Sequence, residues 1–113
     1  MMATALATPP PGTTILVVDD EESIRFTFET FLAKAGYTVL SAEKLSAARR
    51  HLEDEAIDLI FCDIVLPDGS GIDLLLTIRD AELDCPVVMI TGQPAIDTAA
   101  AAVRSGAYDY LVK

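Results

Sequence analysis

Five polar side chains with useful chemistry follow apolar runs of the chain, at Asp19, Asp20, Asp63, Thr91 and Lys113. Carboxylate oxygens are ligands that Mg²⁺ prefers, a hydroxyl donates to a phosphoryl oxygen, and an ammonium attracts phosphate as a point charge. Each residue alone has an ordinary explanation as a solvated side chain of an acidic protein. If the runs before them are neighbouring strands, the five together have the parts of a magnesium and phosphoryl site.

The runs that precede these residues have strand character. They cover residues 15–18, 57–62, 86–90 and 107–112, and a shorter run covers residues 37–40. Continuous apolar runs rich in β-branched residues are typical of strands that are buried on both faces.

Apolar residues between the strands recur at helical spacing. The four stripes are Ile24, Phe28, Phe31, Leu32 and Ala35; Leu45, Ala48, Leu52 and Ala56; Ile72, Leu75 and Leu76; and Ile96, Ala99, Ala100 and Val103. Gly36 and Gly106 end the first and fourth helices, and Pro94 suits the first turn of the fourth. Ser70 with Asp73 three residues later approximates a capping box for the third.

Strands and helices therefore alternate as βαβαβαβαβ, with short connections. This order predicts an α/β fold, a flavodoxin-like, doubly wound, five-stranded parallel sheet of order 2-1-3-4-5. Open sheets of this kind bind ligands beyond the carboxyl ends of the strands, where the strand order reverses. The reversal lies between the first and third strands, which lead into Asp19, Asp20 and Asp63.

Length and composition predict one folded domain. The chain has 113 residues, of which 51% are hydrophobic, and we expect residues 1–12 to be a disordered leader and residues 13–113 to fold. The net charge of −10 disfavours direct nucleic-acid binding, which needs basic residues. No apolar run approaches the roughly 20 residues of a membrane span. Without a visible secretory signal either, the expected location is the cytoplasm.

For three further residues, we expect an ordinary structural or surface position and no role in the site. Cys62 and Cys85 lie in no metal-binding spacing, so we expect small buried hydrophobes in a reducing compartment. His51, the single histidine, lies in a charged helix, and we expect it to be a solvated surface residue.

Four motifs resemble the receiver domains of two-component response regulators. They are VVDDEES from Val17, DIVLPDGSG from Asp63, MITG from Met89 and GAYDYLVK from Gly106. The resemblance covers residues 13–113, with the motifs in the order and spacing of that family. The third and fourth motifs are most similar to receivers of the nitrogen-regulator type, which control sigma-54 transcription.

The resemblance implies a role for each matching residue. Asp63 would be the phosphoacceptor, which attacks a phosphohistidine of a sensor histidine kinase or phosphotransfer protein. Mg²⁺ would be bound directly by Asp20, Asp63 and the main-chain oxygen of Val65, and through water by Asp19. Such a domain catalyses only its own phosphorylation and dephosphorylation, so it is not expected to be an enzyme with another substrate.

Two further residue groups would act on the phosphoryl group once it has formed. Thr91 and Lys113 would hold the phosphoryl oxygens, and Tyr110 would change rotamer with Thr91. This change would switch a surface near the fourth helix and fifth strand. Val65 and Gln93, each two residues past a site residue, would set the phosphate lifetime. Because Val65 cannot orient a water molecule, we expect slow self-dephosphorylation.

One departure from the family pattern concerns the end of the sequence. The family continues past the lysine with a fifth helix, whereas this sequence ends at Lys113. We therefore expect a receiver truncated at the C-terminus, with apolar surface exposed on the fifth and first strands. Association as a homodimer would be one way to cover that surface. An effector domain, expected to act in transcription, would lie outside this sequence.

Four alternatives differ in the sequence features that they require. The receiver of a hybrid histidine kinase would have the same motifs. A Mg²⁺-dependent phosphatase with an aspartate nucleophile, of the haloacid-dehalogenase type, usually has a second aspartate where this chain has Val65. A nucleotide-binding domain would need a glycine-rich loop where this chain has acidic residues. A pseudo-receiver that only binds partners would not need the complete set of acids, threonine and lysine.

Overall fold

The computed structural model describes residues 12–92 and 96–113. These residues form seven strands and four helices, in the order β1 (Thr14–Val18), α1 (Glu22–Lys34), β2 (Thr38–Ala42), α2 (Leu45–Asp54), β3 (Leu59–Asp63), β4 (Val65–Leu66), β5 (Gly69–Ser70), α3 (Gly71–Asp80), β6 (Val87–Thr91), α4 (Ile96–Arg104) and β7 (Asp109–Val112). Apart from Gly12, the predicted leader lies outside the described residues, as do Gln93 and Pro94.

Five strands form one parallel sheet of order β2-β1-β3-β6-β7. This is the predicted order 2-1-3-4-5, because β4 and β5 pair only with each other as a two-stranded antiparallel hairpin. The sequence indicated a turn at that hairpin but not its two short strands. Four helices and no fifth are found in the described part of the chain, as predicted.

One face of the sheet, which we call the closed face, is covered by α2, α3 and α4. Its core consists of Leu16, Val18, Ala42, Leu45, Ala48, Ile60, Cys62, Ile64, Leu66, Leu74, Leu75, Ile78, Val87, Met89 and Ala102. All of these side chains are buried. The alternation of side chains along β1 and β3 puts Leu16, Val18, Ile60 and Cys62 on this face, so the closed face holds the main hydrophobic core.

On the opposite face, which we call the open face, α1 is the one helix that the described residues provide. The rings of Phe28 and Phe61 are 5.2 Å apart between centroids and tilted by 57°, which is a favourable arrangement for an aromatic pair. No residue of α1 is fully buried. Phe31, which the helical stripe assigned to the packed side of α1, is 75% exposed, because the described residues place nothing over it.

Apolar grooves lie on the open face between described residues. One, of about 300 Å³, is lined by Thr27, Phe28, Phe31, Leu32 and Phe61. Another, of about 250 Å³, is lined by Ile24, Phe28, Ile90, Leu111, Val112 and Lys113. Leu111 and Val112 of β7 are exposed, as expected for a sheet without a helix beside this strand.

The hairpin after β3 is fastened to the start of α2 by one carboxylate. Oδ1 of Asp68 accepts a hydrogen bond from the Leu45 amide at 2.8 Å, and Oδ2 accepts one from the Ser46 amide at 3.0 Å. Lys44, the residue at the N-cap of α2, makes no side-chain cap. Asp68 therefore satisfies amides that the helix cannot pair itself, and these bonds, the one from Leu45 first, lower its pKa.

The predicted end of α1 and the predicted start of α3 are confirmed. The capping box of α3 is present, with both the Ser70 and the Asp73 side chains in place. Gly36, after α1, has a φ of +95°, a conformation that glycine adopts without steric cost. None of the four described helices combines the length and apolar character needed to cross a membrane.

The structure corrects the prediction for His51 and agrees with those for the cysteines. His51 is half-buried, and its Nε2 lies 3.0 Å from the carbonyl oxygen of Ser41 on the edge strand β2. It is therefore a packed residue that joins α2 to β2, and not a solvated one. Cys62 and Cys85 are free thiols, buried and half-buried. Burial raises the pKa of both, that of Cys85 to about 11, which keeps them protonated.

Candidate functional site

The carboxyl ends of β1, β3, β6 and β7 bring the predicted polar residues to one edge of the sheet. Asp19 follows β1 directly, Asp63 and Thr91 are the last residues of β3 and β6, and Lys113 follows β7. The Lys113 amide donates to the Thr91 carbonyl oxygen at 2.8 Å, which continues the pairing of the last two strands. Asp19, Asp63 and Thr91 are buried, whereas Asp20 is exposed.

The ammonium of Lys113 is the centre of the cluster. Its Nζ lies 2.8 Å from Oδ2 of Asp19, 3.0 Å from Oδ2 of Asp63 and 2.7 Å from Oε1 of Glu21. Partial burial of this ammonium lowers its pKa, but the three carboxylates outweigh burial and raise it above the usual value. Lys113 is therefore held as a cation over the carboxylate of Asp63.

The turn from β1 into α1 fixes the position of Asp19. Its Oδ1 accepts a hydrogen bond from the Glu21 amide at 2.9 Å, and its main-chain oxygen accepts one from Nη1 of Arg25 at 2.7 Å. Its amide donates to the carbonyl oxygen of Ala42 at 3.0 Å. Asp19 thus has little freedom to leave the cluster.

The start of α3 fixes the main chain around Asp63. The Gly71 amide donates to the Ile64 carbonyl oxygen at 2.7 Å. A Cβ atom at Gly71 would collide with the main-chain oxygen of Asp63 and would lie 2.9 Å from Cε of Met89. Only glycine therefore permits the close approach of α3 to the end of β3. Oδ1 of Asp63 also accepts a long hydrogen bond, 3.4 Å, from the Val65 amide.

The carboxylates of the cluster have the chemistry of a site for a hard divalent cation. Asp19, Asp20, Glu21 and Asp63 each offer a carboxylate oxygen, and these oxygens lie within 4.8 Å of one another. Oδ2 of Asp19 is buried without a hydrogen-bond partner, and its contact with Lys113 is an ion pair alone. Oxygen donors of this kind fit Mg²⁺ or Ca²⁺.

Desolvation explains why the cluster would gain from such a cation. Burial is the largest cause of the raised pKa of Asp19; the Lys113 ammonium and the Glu21 amide lower this pKa, and the Asp63 carboxylate raises it further. A divalent ion would compensate carboxylates that have lost part of their hydration.

Tyr110 lies on the closed-face side of the sheet, away from the acidic cluster. Its ring packs against the closed-face core, and its hydroxyl is 3.2 Å from Oγ1 of Thr98 on α4. In the pairing of β6 with β7, Tyr110 is opposite Met89, and Val112 is opposite Thr91. Tyr110 thus joins the strand that leads to Lys113 with the helix that follows Thr91.

Sequence reasoning missed three residues that build this site. Glu21 was read only as part of an acidic motif, although its carboxylate contacts Lys113. Arg25 stands in a helix, and nothing in its spacing indicated a bond to the main chain of Asp19. Gly71 had a signal, since a second glycine directly after a turn suggests a close backbone approach, but the partner could not be deduced.

Comparison with known proteins identifies relatives of this arrangement. Residues 15–113 match the family described as response regulator receiver domain. The chain is 42% identical over 98 residues to the response regulator protein PilR of Pseudomonas aeruginosa, which is 87% of this chain and 22% of that protein. It is 39% identical over 102 residues to the DNA-binding transcriptional regulator NtrC of Rhizobium meliloti, 90% of this chain and 21% of that protein. The chain thus spans about a fifth of these curated relatives.

Solved structures with the same fold include two in activated or phosphorylated forms. A response regulator from Burkholderia pseudomallei, with a phosphorylated aspartic acid, a calcium ion and citrate, superposes with a TM-score of 0.83 at 33% identity, covering 89% of this chain and 59% of that one. The beryllofluoride-activated NtrC4 receiver domain dimer superposes with a TM-score of 0.83 at 36% identity, covering 88% of this chain and 83% of that one.

Proposed function

Because the chain belongs to the family of response regulator receiver domains, we propose that Asp63 accepts a phosphoryl group from a phosphohistidine of a sensor histidine kinase or phosphotransfer protein. One observation supports this most directly. Lys113 holds its ammonium 3.0 Å from Oδ2 of Asp63, inside a ring of carboxylates at the ligand-binding edge of the sheet. A carboxylate nucleophile next to a fixed cation is the arrangement that phosphoryl transfer needs.

The residues around Asp63 act by position and charge. In a loose transition state, charge spreads over the equatorial oxygens of the phosphoryl group. Lys113 and Thr91 would each meet one of these oxygens, and a bound Mg²⁺ would neutralise further charge. Asp20, Asp63 and the main-chain oxygen of Val65 would bind this ion directly, and Asp19 would bind it through water. The domain then catalyses its own phosphorylation and dephosphorylation, and no other reaction.

The phosphorylated state would be read by a surface formed by α4 and β7. When Thr91 moves toward a phosphoryl oxygen, the packing around Tyr110 changes, and Tyr110 contacts Thr98 of α4. A shift of this hydroxyl contact would bias α4 between two positions. Receivers in the relatives belong to transcriptional regulators, so we propose an effector domain that controls transcription. This favours a transcriptional regulator over the receiver of a hybrid kinase.

The lifetime of the phosphate would be set at Val65 and Gln93. The Val65 side chain is 66% exposed two residues after Asp63, so it stands at the surface near the phosphoacceptor without a polar group to orient water. We therefore propose slow self-dephosphorylation. The same apolar side chain is why we do not propose the phosphatase alternative, since that mechanism would use a carboxylate at position 65.

Membership of the same family also supports a proposal for the location, the binding partners and the oligomeric state of this domain. We propose a cytoplasmic protein that does not bind nucleic acid through this domain or enter a membrane. The NtrC4 receiver domain was solved as a dimer in its activated form, and we propose that phosphorylation favours a homodimer here as well.

Phosphorylation by a small donor tests the proposal. The chain is incubated with acetyl phosphate and Mg²⁺, and intact mass reports whether one phosphoryl group is added. We expect modification of the wild type and none of Asp63→Asn. Asp84→Asn, an exposed carboxylate near the opposite edge of the sheet, should be modified like the wild type. Equal modification of Asp63→Asn and the wild type would assign the phosphoacceptor to another residue.

A further inference from the structure

Glu21 differs from the other two carboxylates that contact Lys113. The side chains of Asp19 and Asp63 are 0% and 7% exposed, whereas that of Glu21 is 55% exposed. Even so, its contact with Nζ, 2.7 Å, is the shortest of the three. Glu21 therefore stands at the solvent side of the cluster with its charge directed at the same ammonium as the phosphoacceptor.

The ammonium of Lys113 donates hydrogen bonds to Glu21 and Asp63 and is ion-paired with Asp19, so three carboxylates share one cation. A phosphoryl group on Asp63 that also bonds to Lys113 must compete with them for this ammonium. Asp19 is held by the Glu21 amide at Oδ1, and Asp63 carries the phosphoryl group itself. Glu21, the exposed partner, is therefore the one that gives way.

The charge of Glu21 also acts on the donor before transfer. A donor that approaches Asp63 from solvent must bring its phosphoryl oxygens to Lys113 and so close to the Glu21 carboxylate. The repulsion grows in proportion to the negative charge on the donor. Because Glu21 is partly exposed, this repulsion is weakened by water and salt but not removed.

We propose that Glu21 is a specificity-determining residue of this site, which disfavours dianionic acyl phosphates relative to phosphoramidates of lower negative charge. This inference rests on the proposed function of Asp63. Phosphohistidine is itself a phosphoramidate, with a bond from phosphorus to nitrogen. The consequence of Glu21 is that the domain is partly insulated from small acyl phosphates and reserved for donors that transfer from nitrogen.

The two donor classes lead to the same product. With acetyl phosphate, an oxygen of Asp63 forms a bond to phosphorus while the bond from phosphorus to the acetate oxygen breaks, and acetate leaves with the electron pair. With phosphoramidate, the bond from phosphorus to nitrogen breaks, and ammonia leaves with protons that its nitrogen already carries. Both yield an aspartyl phosphate, and the intrinsic difference in leaving group is the same for every variant. A change in the ratio of the two rates between variants therefore reports how the residue at position 21 acts on donor charge.

The test compares Glu21→Gln with Glu22→Gln, which removes the same charge from the adjacent exposed residue. Phosphorylation rates at saturating Mg²⁺ are measured for each variant with acetyl phosphate and with phosphoramidate. We expect Glu21→Gln to raise the ratio of the acetyl phosphate rate to the phosphoramidate rate by about threefold. The increase should shrink in high salt. Glu22→Gln and Glu21→Asp, which keeps the charge, should retain the wild-type ratio.

The outcomes separate this inference from the proposed function. If neither donor modifies the wild type, the assignment of Asp63 as phosphoacceptor fails. If the wild type is modified but Glu21→Gln leaves the ratio unchanged, or if Glu21→Asp changes it equally, the role of Glu21 is overturned while the function stands. A fall of both rates with a higher Mg²⁺ requirement would also overturn it, because Glu21 would then serve the metal.

Discussion

The two faces of one sheet differ in how completely helices cover them. On the closed face, side chains of β1, β3 and β6 pack among α2, α3 and α4, and every residue of that core is buried. On the open face, α1 is the one described helix that these strands meet, and apolar grooves remain beside Phe28. The strands are equally apolar on both sides, so the number of helices, and not the sheet, decides where stability is concentrated.

The candidate functional site lies between these two regions. The groove formed by Ile24, Phe28, Ile90, Leu111 and Val112 extends to Lys113, so the lysine lies along the open face. Asp63, in contrast, is fixed from the closed side by the start of α3. Asp63 is thus held by the well-packed region, and the Lys113 cation beside it is held by the sparsely packed one.

Truncation of a closed-face leucine should have the largest effect on stability. Leu74 of α3 is fully buried in the core, so Leu74→Ala removes apolar contacts and leaves a cavity. We expect a loss of about 2–5 kcal/mol in the free energy of unfolding, measured by urea denaturation. Leu76→Ala, in the same helix at an exposed position, should lose clearly less. Equal losses would mean that the closed face is not the main source of stability.

The second-largest effect on stability is expected from one added methyl group at Gly71, where the closed face meets the candidate site. In Gly71→Ala, the new Cβ collides with the main-chain oxygen of Asp63. We expect a loss of about 1–3 kcal/mol and slower phosphorylation by acetyl phosphate. In Gly92→Ala, the new Cβ would lie 3.7 Å from Cδ of Lys113, an ordinary contact, and phosphorylation should be retained. Normal phosphorylation of Gly71→Ala would show that α3 can move away without harm.

Replacement of Phe28, one ring of the open-face aromatic pair, should lower the free energy of unfolding by less than truncation of the closed-face Leu74. Phe28→Leu keeps an apolar side chain but removes the ring that packs on Phe61. We expect a loss of about 0.5–1.5 kcal/mol, measured by the same denaturation. Thr30→Ala, at an exposed position of α1, provides the control. A loss from Phe28→Leu as large as that from Leu74→Ala would contradict the contrast between the faces.

The smallest expected effect is the pH dependence that comes from Asp68. Its pKa is lowered in the folded protein by the amides of α2, first that of Leu45. A lowered folded pKa gives stability that is present above the unfolded value, about 3.9, and is lost as pH falls through the folded value. The stability difference between the wild type and Asp68→Ala should therefore shrink as pH falls below about 4.

Thermal unfolding of both proteins between neutral pH and pH of about 3 provides the measurement. Asp80→Ala, an exposed carboxylate at the end of α3, is the matched control. A difference between the wild type and Asp68→Ala that stays constant over this range would show that the cap does not depend on the charge of Asp68.

Most of the fold could be predicted from the sequence because periodicity and polar strand ends are local signals. The five main strands, the sheet order and the capping box at Ser70 are confirmed. The exposure of Phe31 could not be predicted, since a helical stripe shows which side of a helix is apolar but not whether anything covers it. The prediction that His51 is a solvated surface residue was wrong for a related reason, because its contact with the edge strand depends on tertiary packing.

The site was predicted in its residue types but not in its contacts. The strand-end rule brought Asp19, Asp63, Thr91 and Lys113 to one edge, and the structure places them there. The rule says nothing about residues beyond the strand ends. The contact of Glu21 with Lys113 joins residues 92 positions apart, and the cap from Asp68 to Leu45 joins residues 23 apart. Such pairings depend on the conformation of loops, whose residues show no periodic pattern in the sequence.

The exposed position of Val65 has a consequence for how this domain can diverge. The Val65 side chain points away from the core within two residues of Asp63, whereas the position of Gly71 admits no side chain at all. Under the proposed function, substitution at 65 would therefore change how long the phosphate persists while the fold and Asp63 stay as they are. Receivers with different phosphate lifetimes would then arise from this one scaffold by changes at a single surface position.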